Sequence, residues 1–499
     1  QGPAMGYARR VMDGIGEVAV TGAGGSVTGA RLRHQVRLLA HALTEAGIPP
    51  GRGVACLHAN TWRAIALRLA VQAIGCHYVG LRPTAAVTEQ ARAIAAADSA
   101  ALVFEPSVEA RAADLLERVS VPVVLSLGPT SRGRDILAAS VPEGTPLRYR
   151  EHPEGIAVVA FTSGTTGTPK GVAHSSTAMS ACVDAAVSMY GRGPWRFLIP
   201  IPLSDLGGEL AQCTLATGGT VVLLEEFQPD AVLEAIERER ATHVFLAPNW
   251  LYQLAEHPAL PRSDLSSLRR VVYGGAPAVP SRVAAARERM GAVLMQNYGT
   301  QEAAFIAALT PDDHARRELL TAVGRPLPHV EVEIRDDSGG TLPRGAVGEV
   351  WVRSPMTMSG YWRDPERTAQ VLSGGWLRTG DVGTFDEDGH LHLTDRLQDI
   401  IIVEAYNVYS RRVEHVLTEH PDVRAAAVVG VPDPDSGEAV CAAVVVADGA
   451  DPDPEHLRAL VRDHLGDLHV PRRVEFVRSI PVTPAGAPDK VKVRTWFTD

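Results

Sequence analysis

Apolar residues along this chain follow two rhythms that alternate. Leu32, Val36, Leu39 and Leu43 recur at helical spacing over residues 31–46, and Gly47 with Pro49 closes that segment. Beyond it, short apolar runs at 100–104, 121–127, 219–224, 243–247 and 270–273 alternate with amphipathic segments near 61–74, 229–239 and 279–290. Runs of strand length separated by helices predict an α/β fold with largely parallel sheets. Residues 345–352 and 391–394 read as antiparallel strands. From about residue 399 the pattern restarts as a compact α+β unit. It has a strand at 399–403, a helix at 410–418, strands at 423–431 and 440–446, a helix at 454–465 and a strand at 473–477.

The run Ile156 to Phe161 reads as a buried strand and leads into Thr162-Ser163-Gly164-Thr165-Thr166-Gly167-Thr168-Pro169-Lys170-Gly171. Glycines there let the backbone approach a polyanion with its N–H groups free, the hydroxyls add donors, and Lys170 adds charge. The segment predicts a phosphate cradle but lacks the Gly-x-x-x-x-Gly-Lys-Ser/Thr spacing of a Walker A loop.

Bulk properties narrow the field. A chain of 499 residues supports two or more domains. The net charge of −10 and the lack of a basic stripe give no support to nucleic-acid binding. No apolar run approaches the ~20 residues of a membrane span. Five scattered cysteines, never in C-x-x-C, suggest reduced thiols in a cytoplasmic protein rather than disulfides or zinc. Residues 1–4, ahead of Met5, read as a tag remnant. Lys170, Lys490 and Lys492 are the only lysines among 48 basic residues, which makes each a candidate for a role arginine cannot fill.

Further motifs follow in order. Tyr273-Gly274-Gly275-Ala276-Pro277 and Asn297-Tyr298-Gly299-Thr300-Gln301-Glu302 both end strands, where open α/β sheets bind ligands. Tyr298 can lie on an adenine face, and Glu302 is a hard oxygen ligand suited to Mg²⁺. In Leu377-Arg378-Thr379-Gly380-Asp381 the carboxylate can accept from two ribose hydroxyls. In this order the motifs resemble the adenylate-forming superfamily of acyl-CoA ligases, carrier-protein adenylation domains and firefly luciferase, over essentially the whole chain.

That resemblance implies a large N-terminal domain (5–394) with mostly parallel sheets and a β-barrel-like subdomain, a hinge (395–398) and a small mobile C-terminal domain (399–499). It implies ATP and Mg²⁺, and a first half-reaction that gives an acyl-adenylate and pyrophosphate. Thr162 to Lys170 would be the phosphate loop. Gly274, Gly275, Ala276 and Pro277 with Asn297, Tyr298, Gly299 and Thr300 would form the nucleotide site. Glu302 would be the metal ligand and a catalytic residue, Asp381 the ribose clamp, Arg396 a catalytic nucleotide contact and Gln398 the hinge. Asn249, Trp250, Gly274 and Ala303 fall where the family lines its acid pocket, although Trp250 reads equally well as a core residue of the following helix.

The chain departs from the family at several places. Ala487, in Thr483-Pro484-Ala485-Gly486-Ala487, stands where the family carries a catalytic lysine. This reads as an engineered Lys→Ala change; a natural pseudoenzyme and rescue by Lys490 are the alternatives. Asp205 replaces the usual His beside the acyl pocket, Glu404-Ala405 replaces a Gly-Gly loop of the thiol tunnel, and Gln301 replaces a Thr. The second and third changes point away from a long anionic thiol and toward an amine. A carboxylate there would attract an ammonium and accept its proton, more effectively if burial raised its pKa. These features resemble the stand-alone amide bond synthetases of β-carboline biosynthesis. That likeness implies an aryl carboxylic acid of β-carboline-3-carboxylic type and an amine as substrates. An acyl-CoA ligase or carrier-loading enzyme is the alternative. The oligomeric state, monomer or homodimer, stays open.

Overall fold

The computed structural model describes residues 5–22, 24–162, 169–483 and 486–498. Among these, the strands assemble into three sheets of fourteen, eight and five strands. The largest has a parallel centre, in which Val18–Gly22, Thr220–Leu223, Arg196–Ile199, His243–Leu246, Arg270–Gly274 and Leu294–Thr300 lie side by side. Thr220–Leu223, His243–Leu246 and Arg270–Gly274 are apolar runs of the sequence, buried as helix-covered parallel strands must be. The second sheet is also parallel at its centre and turns antiparallel at the edge, where Ile156–Phe161, Gly171–Ser175 and Gly360–Tyr361 pair.

Helix starts follow the side chains that can cap them. Thr28 accepts from Arg31 N ahead of Gly29–Glu45, and Thr61 accepts from Ala64 N ahead of Trp62–Ala73. Proline opens Pro229–Glu239, Pro280–Met290 and Pro454–Leu465, where its missing N–H costs nothing. Among the described residues no helix is long and apolar enough to cross a membrane.

The antiparallel strands Gly348–Arg353, Trp376–Phe385 and Leu391–Arg396 extend the largest sheet through Ala322–Pro326. The barrel-like part expected from the sequence is thus an open continuation of that sheet, and no barrel closes. The third sheet contains Ile401–Val403, Tyr406–Val408, Val423–Asp433, Gly437–Val446 and Arg473–Phe476. Its first strand starts two residues later than the sequence pattern implied, because Leu397–Asp399 is a single 3₁₀ turn.

Five histidines sit where burial disfavours the charged form. His58, His174, His243, His314 and His415 are each lowered to about 4, chiefly by burial. The unfolded chain takes up these protons near the ordinary value of 6.5 while the folded chain does not, so stability is complete above that value and is lost as pH falls toward 4. Acid unfolding is expected to begin below about pH 6, ahead of bulk carboxylate protonation, in denaturant midpoints measured across pH.

Candidate active site

The site gathers at the carboxyl ends of the central strands and at the edge of the second sheet. Thr162 N donates to Lys170 O at 3.1 Å, which closes the base of the glycine-rich loop. Ser163, Gly164, Thr165, Thr166 and Gly167 lie outside the described residues. Among the described residues, Thr162 Oγ1 is buried without a partner, and so is Asn297 Oδ1. A buried polar atom left unpaired is costly, so both are acceptors or donors available to a ligand. Asn297 Nδ2 donates to the Tyr190 hydroxyl at 2.5 Å, which fixes the direction of the free oxygen.

Gly274 pairs in register with Asn297, and a Cβ on it would lie 2.4 Å from Asn297 O, so only glycine lets these strands approach. Gly275 has φ +86° and open space where a side chain would stand. Ala276 is half-buried and Pro277 exposed. Tyr298 and Asp381, more than eighty residues apart, meet: the phenol donates to Asp381 Oδ2 at 2.5 Å. Arg396 Nε lies 3.5 Å from Asp381 Oδ1, across the pairing of Trp376–Phe385 with Leu391–Arg396. Adenine-side and ribose-side candidates are therefore adjacent.

Leu294–Thr300 returns as Ala304–Leu309, and the hairpin tip carries Gln301, Glu302 and Ala303. Thr300 Oγ1 accepts from Ala303 N at 3.0 Å and tightens the tip. Gly299 and Gln301 are exposed, Glu302 is half-buried, and Ala303 is fully buried and offers no surface to an acid. Glu302 Oε1 accepts from the Tyr361 hydroxyl at 3.0 Å, and Lys170 Nζ sits 5.5 Å from the Tyr361 ring centroid. Glu302 Oε2 has no partner among the described residues. A free carboxylate oxygen and a lysine that share Tyr361 as neighbour suit a magnesium–nucleotide.

Of the acid-pocket residues, Asn249 is exposed in the first turn of Pro248–Ala255. Trp250 is half-buried and stacks on Phe227 with centroids 4.4 Å apart, so one of its faces is already covered. Asp205 precedes Leu206–Ala216 without capping it through its side chain, and its carboxylate meets Arg82 Nε at 3.0 Å. The sequence pointed to burial as the influence on this carboxylate; the structure gives it an arginine partner instead. One turn on, Glu209 is pushed above the usual carboxylate range by burial, opposed by the charge of Arg68 and reinforced by Asp205. Arg82, Glu209 and Tyr361 were not identified from sequence. A carboxylate at i+4 from Asp205 was a usable signal for Glu209; nothing local marks Arg82 or Tyr361.

Lys490, the alternative to the missing lysine, is engaged elsewhere in this structure. Lys490 Nζ donates to Ser410 Oγ at 2.7 Å and pairs with Glu414 at 3.2 Å, both side chains being 12% exposed. Asp395 accepts from Ser410 N at 2.7 Å, so the residue ahead of the 3₁₀ turn holds the N-terminus of Ser410–Thr418. Arg396 and Gln398 are exposed, and Ala487 is half-buried in a turn in which its carbonyl accepts from Thr483 N at 2.7 Å. Glu404 and Ala405 form the exposed tip of the Ile401–Val403 and Tyr406–Val408 hairpin with φ of +50° and +67°. Such a turn normally takes glycine, and each non-glycine residue costs about 1–2 kcal/mol.

Comparison with known proteins agrees with this geometry. Residues 8–362 match the AMP-binding enzyme family, and residues 412–487 match its C-terminal domain. The structure of the amide bond synthetase McbA from Marinactinospora thermotolerans is 99% identical, with each chain covered in full and a TM-score of 0.98. A lysine-to-alanine variant of that enzyme is 98% identical over both full chains, with a TM-score of 0.96. Feruloyl-CoA synthase of Amycolatopsis sp is 37% identical over 487 residues, 96% of each chain.

Removing Lys490 leaves Glu414 enclosed without its cation. Lys490→Ala is expected to lower stability by about 3 kcal/mol at neutral pH. Because burial already raises Glu414, the loss should shrink as pH falls and the carboxyl takes up a proton, a trend that paired denaturant titrations would read.

Proposed function

The chain belongs to the family of AMP-binding enzymes and is an ATP-dependent, AMP-forming ligase; from that premise we propose that it joins an aryl acid of β-carboline-3-carboxylic type to an amine. In the first half-reaction a carboxylate oxygen of the acid attacks the α-phosphorus of ATP, the bond to the β-phosphate bridge breaks, and pyrophosphate leaves. In the second, the amine nitrogen attacks the acyl carbon, the bond to the adenylate oxygen breaks, and AMP leaves with the amide formed.

Each step has residues suited to it. Lys170 and the loop N–H groups would hold the phosphates, with Asn297 Oδ1, Gly275 and Tyr298 at the base and Asp381 with Arg396 at the ribose. Magnesium, held by Glu302, would neutralise charge that builds on the phosphates. Preorganised donors of this kind accelerate reaction without a covalent enzyme intermediate. Asp205 and Glu209 lie one turn apart at the start of a helix. Arg82 neutralises Asp205, so Glu209, whose basicity burial raises, is the better acceptor for the proton of an alkylammonium. Between the half-reactions the C-terminal unit would turn about Gln398.

The observation that carries the amide reading is the 99% identity, over both full chains, to an amide bond synthetase. The second reading, an acyl-CoA ligase, draws on the feruloyl-CoA synthase likeness at 37% identity. Substitution at 487 fits a molecule that binds its substrates but is deprived of the family lysine.

An end-product assay by mass spectrometry separates the two readings. With ATP, Mg²⁺ and a β-carboline-3-carboxylic acid, Ala487→Lys is expected to raise pyrophosphate release by roughly 10²–10³-fold. Supplied with an arylethylamine it should give amide, and Asp205→Asn in that background should lower amide yield more than pyrophosphate release. Thioester with CoA, and no amide above uncatalysed aminolysis, would leave an acyl-CoA ligase.

A further inference from the structure

A short segment ties the hairpin that carries Glu302 to the edge strand that follows the phosphate loop. Met358 N donates to Glu302 O at 2.8 Å, on the largest sheet. Ser359 N then donates to Ala173 O at 2.8 Å and Trp362 N to Gly171 O at 2.6 Å, on the second sheet. Between them Gly360–Tyr361 pairs antiparallel with Gly171–Ser175, with Tyr361 opposite Val172. Tyr361 sits where these connections converge. It is 8% exposed, and its own N–H donates to Thr368 Oγ1 at 2.9 Å, so its backbone is fixed.

From this position the one side chain reaches two groups. Its hydroxyl donates to Glu302 Oε1 at 3.0 Å, and the ring lies 5.5 Å from Lys170 Nζ, within cation–π range. We propose that Tyr361 is a positioning residue for the metal and phosphate site: its hydroxyl holds one Glu302 oxygen so that the other faces the divalent cation, and its ring steers Lys170 toward the phosphates. The proposal rests on Glu302 being the metal ligand. Partners of this kind fix a ligand's rotamer, and their loss typically costs about 10–100-fold in metal affinity. The two contacts are also separable. Phenylalanine keeps the ring and loses the hydroxyl, whereas leucine loses both.

The test is calorimetric binding of ATP to the full chain, with and without saturating Mg²⁺; the quantity read is the affinity gained from the metal. In Tyr361→Phe that gain is expected to fall by roughly tenfold or more, with metal-free ATP affinity and thermal midpoint unchanged. Tyr361→Leu should in addition weaken metal-free binding, because Lys170 loses its ring. Glu302→Gln should abolish the gain. An intact gain in Glu302→Gln would overturn the ligand assignment on which the proposal rests. A gain lost in Glu302→Gln but intact in Tyr361→Phe would overturn the proposal alone. A Phe variant that loses metal-free and metal-bound affinity equally would show a structural role and overturn it as well.

Discussion

Two adjacent main-chain hydrogen bonds join the two large sheets beside the site: Met358 N to Glu302 O, and Ser359 N to Ala173 O. Each sheet contributes half of the candidate phosphate and metal machinery, Glu302 from one and Lys170 from the other. Neither half has a defined position relative to the other unless something bridges them. A backbone bridge does this with less slack than side chains could, because it carries no rotamer freedom. The local glycines serve the same end. Gly274 lets its strand lie against Asn297, and Gly299 lets the hairpin turn close to Ala304 O, which a Cβ would meet at 2.1 Å.

The C-terminal unit is tied in a different way. Asp395 ends a strand of the largest sheet and accepts from Ser410, and Ser410 receives Lys490, which also faces Glu414. Burial raises both Asp395 and Glu414, and the single ammonium opposes that rise in each. Buried charge is tolerated only when paired, so the cluster holds together as a unit. Other ties across the boundary are exposed: Arg317 with Glu419 and Arg424 with Glu256. Exposed pairs contribute little and can exchange for water. The buried cluster is therefore the firm contact between the two units, and the exposed pairs are weak ones.

Elements with strong local signals were legible in the sequence. The helix at 229–239, the helix at 410–418 and the strand at 270–273 appear within a residue of where periodicity and capping placed them. The glycine turns at 274–275 and 299 also lie at strand ends, as the sequence placed them. What could not be read was distance. Nothing around residue 82 announces that Arg82 meets Asp205, and nothing near 361 announces Glu302, because each pair joins segments that only the sheet topology brings together. Whether the barrel-like part closes could not be read for a related reason. Alternating strands give the pairing sense but not whether the last edge returns to the first.

The scarcity of lysine acquires a meaning from where Lys490 sits. An acyl-adenylate acylates any neutral amine it meets, and lysine ε-amines are the commonest such target on a protein. Arginine stays protonated and is no competitor. This chain offers three ε-amines, and that of Lys490 is committed to Ser410 and Glu414 inside the C-terminal unit. A catalyst that makes so reactive an acyl donor therefore presents very little of itself to be labelled by its own product.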